Sequence, residues 1–334
     1  MFKPKRIIFE EAAMNYELGK KLYEKFNKDV EIKISKTGRV TGIPGGTHSD
    51  MYIEGKNTLV VGVRKDLEFQ SCKPSAHYQL PLVSGCMGMC EYCYLNTRMG
   101  KRPYIKIHVN MDDILKKAGQ YINTRKPDIT IFEGAATSDP VPVEEYSGAL
   151  KSAIEYFGKS DFGKFRFVTK YTDIDSLLNL NHNGNTMIRF SINTDRIIKD
   201  FEHRTPLISK RLEAAYKIAE SGYKLGFIIA PVFFYENWEE DYKDLILQIH
   251  KYFHGREIDF EIISHRFTKT AKENIKNIFP QTLLPLEEEI RSFKYGQFGY
   301  GKYVYKKEEL EYMKNFFKEN INKCFGENRI NYII

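Results

Sequence analysis

From residue 104 the chain alternates between two hydrophobic rhythms. Short apolar or period-two runs read as strands, and longer segments with apolar positions three and four apart read as helices. "YIKIHVN" predicts a strand, and "DDILKKAGQYINT" after it sets Ile114, Leu115, Ala118 and Ile122 on one helical face. The succession recurs in "DITIFEG" and "VEEYSGALKSAIEYF", then in "KFRFVTKY" and the short helix "DIDSLLNL". It recurs again in "MIRFSIN" and "LISKRLEAAYKIAESG", where Gly222 is placed to close the helix as a C′ glycine. "KLGFIIAPVFF" with "WEEDYKDLILQIHKYF", and "IDFEIISHRF" with "TKTAKENIKNIF", complete the series. Counting a strand before residue 84, about six strand–helix units result. Such alternation predicts a parallel sheet with helices outside, either doubly wound or curved into a (β/α) barrel. In a barrel, reactive residues gather at the C-terminal strand ends, where Glu133, Ser138, Lys170, Ser191 and Asn193 fall.

The flanks follow other patterns. Residues 1–75 combine a helix over "EEAAMNYELGKKLYEKF" with strand-like "VEIKIS" and "NTLVVGVR", an α+β segment expected to pack on the 76–280 core. Residues 281–334 hold "FKYGQFGYGKYVYKK", whose aromatics, lysines and glycines predict a hairpin with a glycine-rich tip. The longest apolar run, around "LGFIIAPVFF", is far too short to span a bilayer, and the N-terminus lacks an apolar signal core. A cytoplasmic protein without a membrane partner is the expectation. The net charge of +7 permits a polyanionic partner without requiring one.

The cysteines change the picture. Three of the five, Cys86, Cys90 and Cys93, fall within "SGCMGMCEYCYL", which is unlike the dense, even-numbered spacing of a disulfide framework. Thiolates bind zinc or iron–sulfur clusters, but closed zinc sites take four ligands. Cys72 is fourteen residues upstream, Cys324 is near the far end, and no histidine stands at zinc-finger spacing. Three thiolates therefore point to a [4Fe–4S] cluster with one iron left open.

The CxxxCxxC spacing with Tyr92 before the last cysteine resembles the radical S-adenosylmethionine superfamily. "KPSAHYQLPLVSGCMGMCEYCYLNTRMGKRPYIKIHVN", "RFVTKYTDIDSLLNLNHNG", "RFSIN", "SGYKLGFIIAP", "HRFTK" and "YGKYVY" narrow it, in order and over almost the whole chain, to a resemblance to the spore photoproduct lyase family. That resemblance implies a partial (β/α)6 barrel of the radical S-adenosylmethionine type, an N-terminal α+β extension and a C-terminal hairpin and helix region. It implies a lyase of the spore core that returns 5-thyminyl-5,6-dihydrothymine in DNA to two thymines. Its cofactors would be a [4Fe–4S] cluster on Cys86, Cys90 and Cys93 and S-adenosylmethionine, with a flavodoxin or ferredoxin as electron donor. Tyr92 would pack on the adenine, and Glu133, Ser138, Lys170, Ser191 and Asn193 would orient the cofactor. Tyr94 would join the path that returns hydrogen.

One position departs from the family. Its segment reads F-E-A-x-C-T-S-D, and the cysteine donates the returning hydrogen atom; this chain reads "FEGAATSD", with Ala136 at that place. A methyl C–H bond is too strong to serve. Cys72, in "QSCKPSAHY" just before the cluster loop, is the expected relocated donor, set against the reading that the chain is impaired. On double-stranded DNA carrying the lesion, the hairpin would insert Phe298 and Tyr300 as wedges with Lys302 near phosphate.

Overall fold

The structure, a computed structural model, describes all residues except Lys28, Gln297, Phe298 and Tyr300, and of Thr97 and Arg98 the backbone only. Its larger sheet runs Ser71–Cys72, Ala76–Gln79, Thr130–Glu133, Gly163–Thr169, Thr186–Ile192, Lys224–Val232, Ile258–Ser264, Ile330–Ile333. Every neighbouring pair is parallel except the first. The six strands from Ala76–Gln79 to Ile258–Ser264 follow chain order, as a (β/α)6 arrangement requires. The sheet is curled. Arg166 and Glu261 stand on strands three steps apart, about 14 Å in a flat sheet, yet their side chains pair.

Period-two alternation makes this curl useful. Along Gly163–Thr169 and Thr186–Ile192, Phe165, Phe167, Ile188, Phe190 and Ile192 are buried under the outer helices. Arg166, Val168, Arg189 and Ser191 alternate with them and face the concave side. One rhythm thus assigns packing to one face and chemistry to the other.

The helices follow the apolar spacing, as at Met111–Arg125, Ile208–Glu220 and Trp238–Phe253. Gly222 takes φ +79, the left-handed value expected of a C′ glycine. The predicted 143–157 helix breaks at Gly148 (φ +58) into Glu144–Ser147 and Ala149–Gly158. At that break the buried Glu144 carboxylate accepts from Leu150 N at 2.8 Å and Lys151 N at 2.9 Å. Burial nevertheless pushes its carboxyl up from 4.5 to about 7. A raised carboxyl binds its proton more tightly folded than unfolded, so its stabilisation is complete below pH 4.5 and is lost as pH rises through 7. Glu144→Gln keeps a capping oxygen and should flatten that fall, on the order of 3 kcal/mol, in urea unfolding at the two pH values.

Ile105–His108 is a strand, but not part of the barrel series. It pairs with Thr58–Gly62 and Val83–Ser84 in a second sheet, ordered Glu31–Ser35, Arg6–Glu10, Thr58–Gly62, Ile105–His108, Val83–Ser84. Ile7, Phe9, Leu59, Val61, Ile105 and Ile107 give this sheet its own core. The chain between Ala76–Gln79 and Thr130–Glu133 therefore leaves the barrel, crosses to the second sheet and returns; the cysteine loop lies on that excursion. The helix His48–Lys56, capped by Thr47, lies between the strand-like runs "VEIKIS" and "NTLVVGVR", and "DIDSLLNL" forms only a 3-10 turn at Asp175–Leu177. The hairpin pairs Ser292–Tyr295 with Gly301–Val304 as expected. Phe298 and Tyr300 at its tip lie outside the described residues. Among the described residues no helix is long and apolar enough to cross a membrane.

Candidate active site

The concave face opens into a cavity of about 1010 Å³. Cys86, Cys90 and Cys93 line it together with Tyr92, Tyr94 and Cys72, and the strand ends contribute Glu133, Ser138, Lys170 and Ser191. The cysteine loop is held from several sides. Met89–Cys90 pairs antiparallel with Glu202–His203, Asn96 Nδ2 donates to Cys90 O at 3.2 Å, and the buried Lys56 Nζ donates to Cys86 O at 2.8 Å. The Gly88 amide donates to Cys86 Sγ at 3.3 Å, the kind of contact that stabilises a metal-bound thiolate. Burial, and then the Asp139 charge, push the Cys86 thiol up to about 11. Burial and Glu202 raise Cys90 further. Such thiols lose their protons only to a strong cation.

These residues fit a cluster better than one ion. A single tetrahedral zinc draws its sulfurs to about 3.8 Å from one another. Among the described residues no three His, Cys, Asp or Glu groups gather that way. Three thiols of one loop facing a wide cavity suit the corners of a four-iron cluster.

Beside the loop stands Glu202, which the sequence did not single out. It is buried, accepts from Lys170 Nζ at 3.0 Å and Arg211 Nη2 at 2.6 Å, and receives the Tyr92 hydroxyl. Burial alone would raise its carboxyl, but Lys170 and Arg211 hold it at about 2. Lys170 Nζ also donates to Ser191 Oγ at 2.8 Å and lies 5.8 Å from the Tyr92 ring centre. Tyr92, Lys170 and Ser191 are thereby fixed as one polar wall. Asp139 is a second such residue, accepting from Thr169 Oγ1 at 2.8 Å and Lys170 N at 3.0 Å beside Ser138.

Two predicted cofactor residues take other partners. Asn193 is fully buried and is not among the residues lining the cavity; its amide donates to Pro231 O at 2.8 Å and accepts from Tyr242 at 2.8 Å. Its side chain is thus occupied within the protein, next to Ser191 and not on the cavity wall. Glu133 does line the cavity, but its carboxylate is engaged by Arg189 and by Ser75 Oγ at 3.0 Å.

Cys72, Ala136 and Tyr94 share the cavity, and the Tyr94 hydroxyl donates to Ala136 O. Burial, then the charge of Glu133, push the Cys72 thiol up to about 12, so it carries its hydrogen at neutral pH. Cys324 sits in the helix Lys307–Phe325 and packs against the main core. Lys302 lies opposite Lys294 in the hairpin and is lowered by burial, Arg266 and Lys294, a cluster of like charge that would favour an anion. His265 is buried and Arg266 half-buried; His265 packs against Phe233 and Phe267, and Phe267 stacks on Tyr303 of the hairpin.

A profile of the family described as spore photoproduct lyase matches residues 2–334. Spore photoproduct lyase of Clostridium acetobutylicum is 60% identical over 331 residues, covering 99% of this chain and 98% of that protein. The Bacillus subtilis protein of that name is 46% identical over 336 residues, with the same coverage. A solved spore photoproduct lyase with bound AdoMet and dinucleoside spore photoproduct superposes with a TM-score of 0.97 at 46% identity, over 100% of this chain and 99% of that one. It carries a Cys-to-Ala and a Ser-to-Cys exchange.

Proposed function

The chain belongs to the spore photoproduct lyase family, a lyase of DNA repair, and on that premise we propose that it splits 5-thyminyl-5,6-dihydrothymine in double-stranded DNA of the spore core, with Cys72 as its hydrogen donor. Cys86, Cys90 and Cys93 would hold the [4Fe–4S] cluster, and Tyr92, Ser138, Lys170 and Ser191 would seat S-adenosylmethionine on the cavity wall. The cluster and its ligand, given an electron by a flavodoxin or ferredoxin, supply a 5′-deoxyadenosyl radical.

The lesion is joined by a C–C bond that acid–base chemistry cannot open. Loss of the C6 hydrogen from the dihydrothymine ring lets the methylene bridge break by β-scission, which leaves one thymine and one thymine methylene radical. Cys72 gives that radical its S–H hydrogen and becomes a thiyl radical. Tyr94, on the same cavity, carries a hydrogen atom back from 5′-deoxyadenosine to Cys72, so the hydrogen count closes.

The observation that carries this reading is the place of Cys72 on the cavity that is also lined by the three cluster cysteines and Ala136. A second supports it. In the double mutant of the solved relative, the exchanged alanine and cysteine are separated by as many residues as Ala136 and Cys72. The charges of Lys302 and Lys294 on the hairpin, with Arg266 near them, would meet the DNA backbone. The test is anaerobic turnover of dinucleoside spore photoproduct with dithionite and S-adenosylmethionine. Conversion to thymines is expected. Cleavage of S-adenosylmethionine with the lesion untouched would assign another substrate, and a cluster indifferent to S-adenosylmethionine would make the protein noncatalytic.

A further inference from the structure

Among the described residues three lysines and arginines are fully buried: Arg189, Arg211 and Lys56. The arginines are neutralised in place, Arg189 by Glu133 and Glu261 and Arg211 by Glu202. Lys56, 1% exposed at the end of the helix His48–Lys56, pairs with no carboxylate among the described residues. Its one hydrogen bond there runs to Cys86 O at 2.8 Å, which leaves its other N–H groups unused. The Tyr52 ring centre lies 5.2 Å from the ammonium and the helix end adds partial negative charge, but neither is an ion. A buried charge without a counter-ion is among the most unfavourable groups a fold can hold.

The geometry shows what would supply the counter-ion. Cys86 is one of the three cluster cysteines, and covalent geometry keeps a cysteine's sulfur within about 5 Å of its own carbonyl oxygen. The ammonium that bonds this oxygen is therefore within about 8 Å of the Cys86 sulfur. Lys56 does not line the cavity, so it stands behind the loop. A charge acts across that distance without touching the cluster or opening into the cavity.

We propose that Lys56 is the buried counter-charge of the iron–sulfur cluster held by Cys86, Cys90 and Cys93, and that it raises the cluster's reduction potential. This rests on the functional reading above. A four-iron cluster with three thiolates is anionic, and reduction adds one more negative charge, so a nearby cation favours the reduced state. At about 10 Å and an effective dielectric constant of about 20, one unit charge is worth about tenfold in that equilibrium. The N-terminal segment, outside the barrel, thus sets how readily the cluster accepts its electron.

The test is the midpoint potential of the cluster in the reconstituted full chain, read by electron paramagnetic resonance of the reduced state. Lys56→Met keeps the unbranched stem without the charge, and Lys56→Gln also keeps an N–H for Cys86 O. Both should lower the reduction equilibrium constant about tenfold, 59 mV for a one-electron couple. A lysine that only props the loop predicts otherwise: an unchanged potential in the loaded Lys56→Gln variant would overturn the inference alone. Should neither variant load iron, urea unfolding of the metal-free chain decides. Removing an uncompensated buried charge should leave the Lys56→Met midpoint equal to or above the parent's, whereas a lower midpoint marks a mere strut and overturns the proposal. A parent that forms no four-iron cluster would overturn the functional reading and this inference with it.

Discussion

Cys72→Ala should still cleave S-adenosylmethionine and still consume the lesion, yet its yield of thymines should fall more than about tenfold, at least 1.4 kcal/mol in barrier terms. The separation between the two effects follows from where the residue stands. On the proposed function, radical generation would belong to the cysteine loop, which is held by Lys56, Asn96 and the Glu202–His203 pairing, none of which involves Cys72. Abstraction from C6 of the lesion would therefore proceed, visible as deuterium passing from labelled substrate into 5′-deoxyadenosine. What the variant lacks is the hydrogen for the methylene radical. That radical would persist until it met dithionite-derived species, and trapped adducts should replace thymine in the product profile. A second arm uses Ala136, which lines the same cavity. Ala136→Cys in the Cys72→Ala background should restore thymine formation, because a thiol would again face the substrate radical. Clean repair by Cys72→Ala, with no adducts, would remove Cys72 from the mechanism.

Much of this site was legible because its parts are local. The three cysteines, Tyr92 and Tyr94 lie within "CMGMCEYCYL", so spacing alone places them together. Lys170 and Ser191 end strands whose period-two pattern reveals which residues face away from the helices. Glu202 was illegible for the opposite reason. A lone glutamate after a short helix carries no local signal, and its meaning arises only when Lys170, Arg211 and Tyr92 arrive from elsewhere. Asn193 is a like case: an amide at a strand end carries no sign that Pro231 and Tyr242 take up its side chain. The fold shows the same limit. Periodicity identified Ile105–His108 as a strand but could not tell which sheet it joins, since pairing is a long-range choice. Ile330–Ile333 escaped notice because four residues on a sheet edge make too short a pattern.

Arg189→Met should be the most damaging single change to stability, roughly 3–5 kcal/mol in chemical unfolding. The floor of the half-barrel is charged where a closed barrel packs layers of aliphatic side chains. Arg189 and Arg166 stand there between Glu133 and Glu261, two cations against two carboxylates, with Tyr332 donating to Glu261 at 2.8 Å. Gly226, opposite Arg189 on the next strand, leaves room for that side chain: an added Cβ would come within 3.2 Å of Arg189 Cγ. Without Arg189, Glu133 keeps the Ser75 hydroxyl at 3.0 Å but, as a cation, Arg166 Nε at 3.8 Å alone among the described residues, and a buried carboxylate is left undercompensated. The loss should reach the chemistry as well. Arg189 Nη1 donates to Ser75 Oγ at 3.2 Å and Arg166 Nη1 to Ser75 O at 3.0 Å, so the network pins the turn that follows Cys72. Ser75→Ala tests this link separately, since it breaks the Arg189 and Glu133 contacts to that turn but leaves the ion pairs whole. It should cost little stability, about 1 kcal/mol, yet raise the share of trapped adducts over thymine, as a misplaced donor would. An unchanged product ratio in Ser75→Ala would show that Cys72 is positioned without the charged floor, and Arg189 would then matter to folding alone.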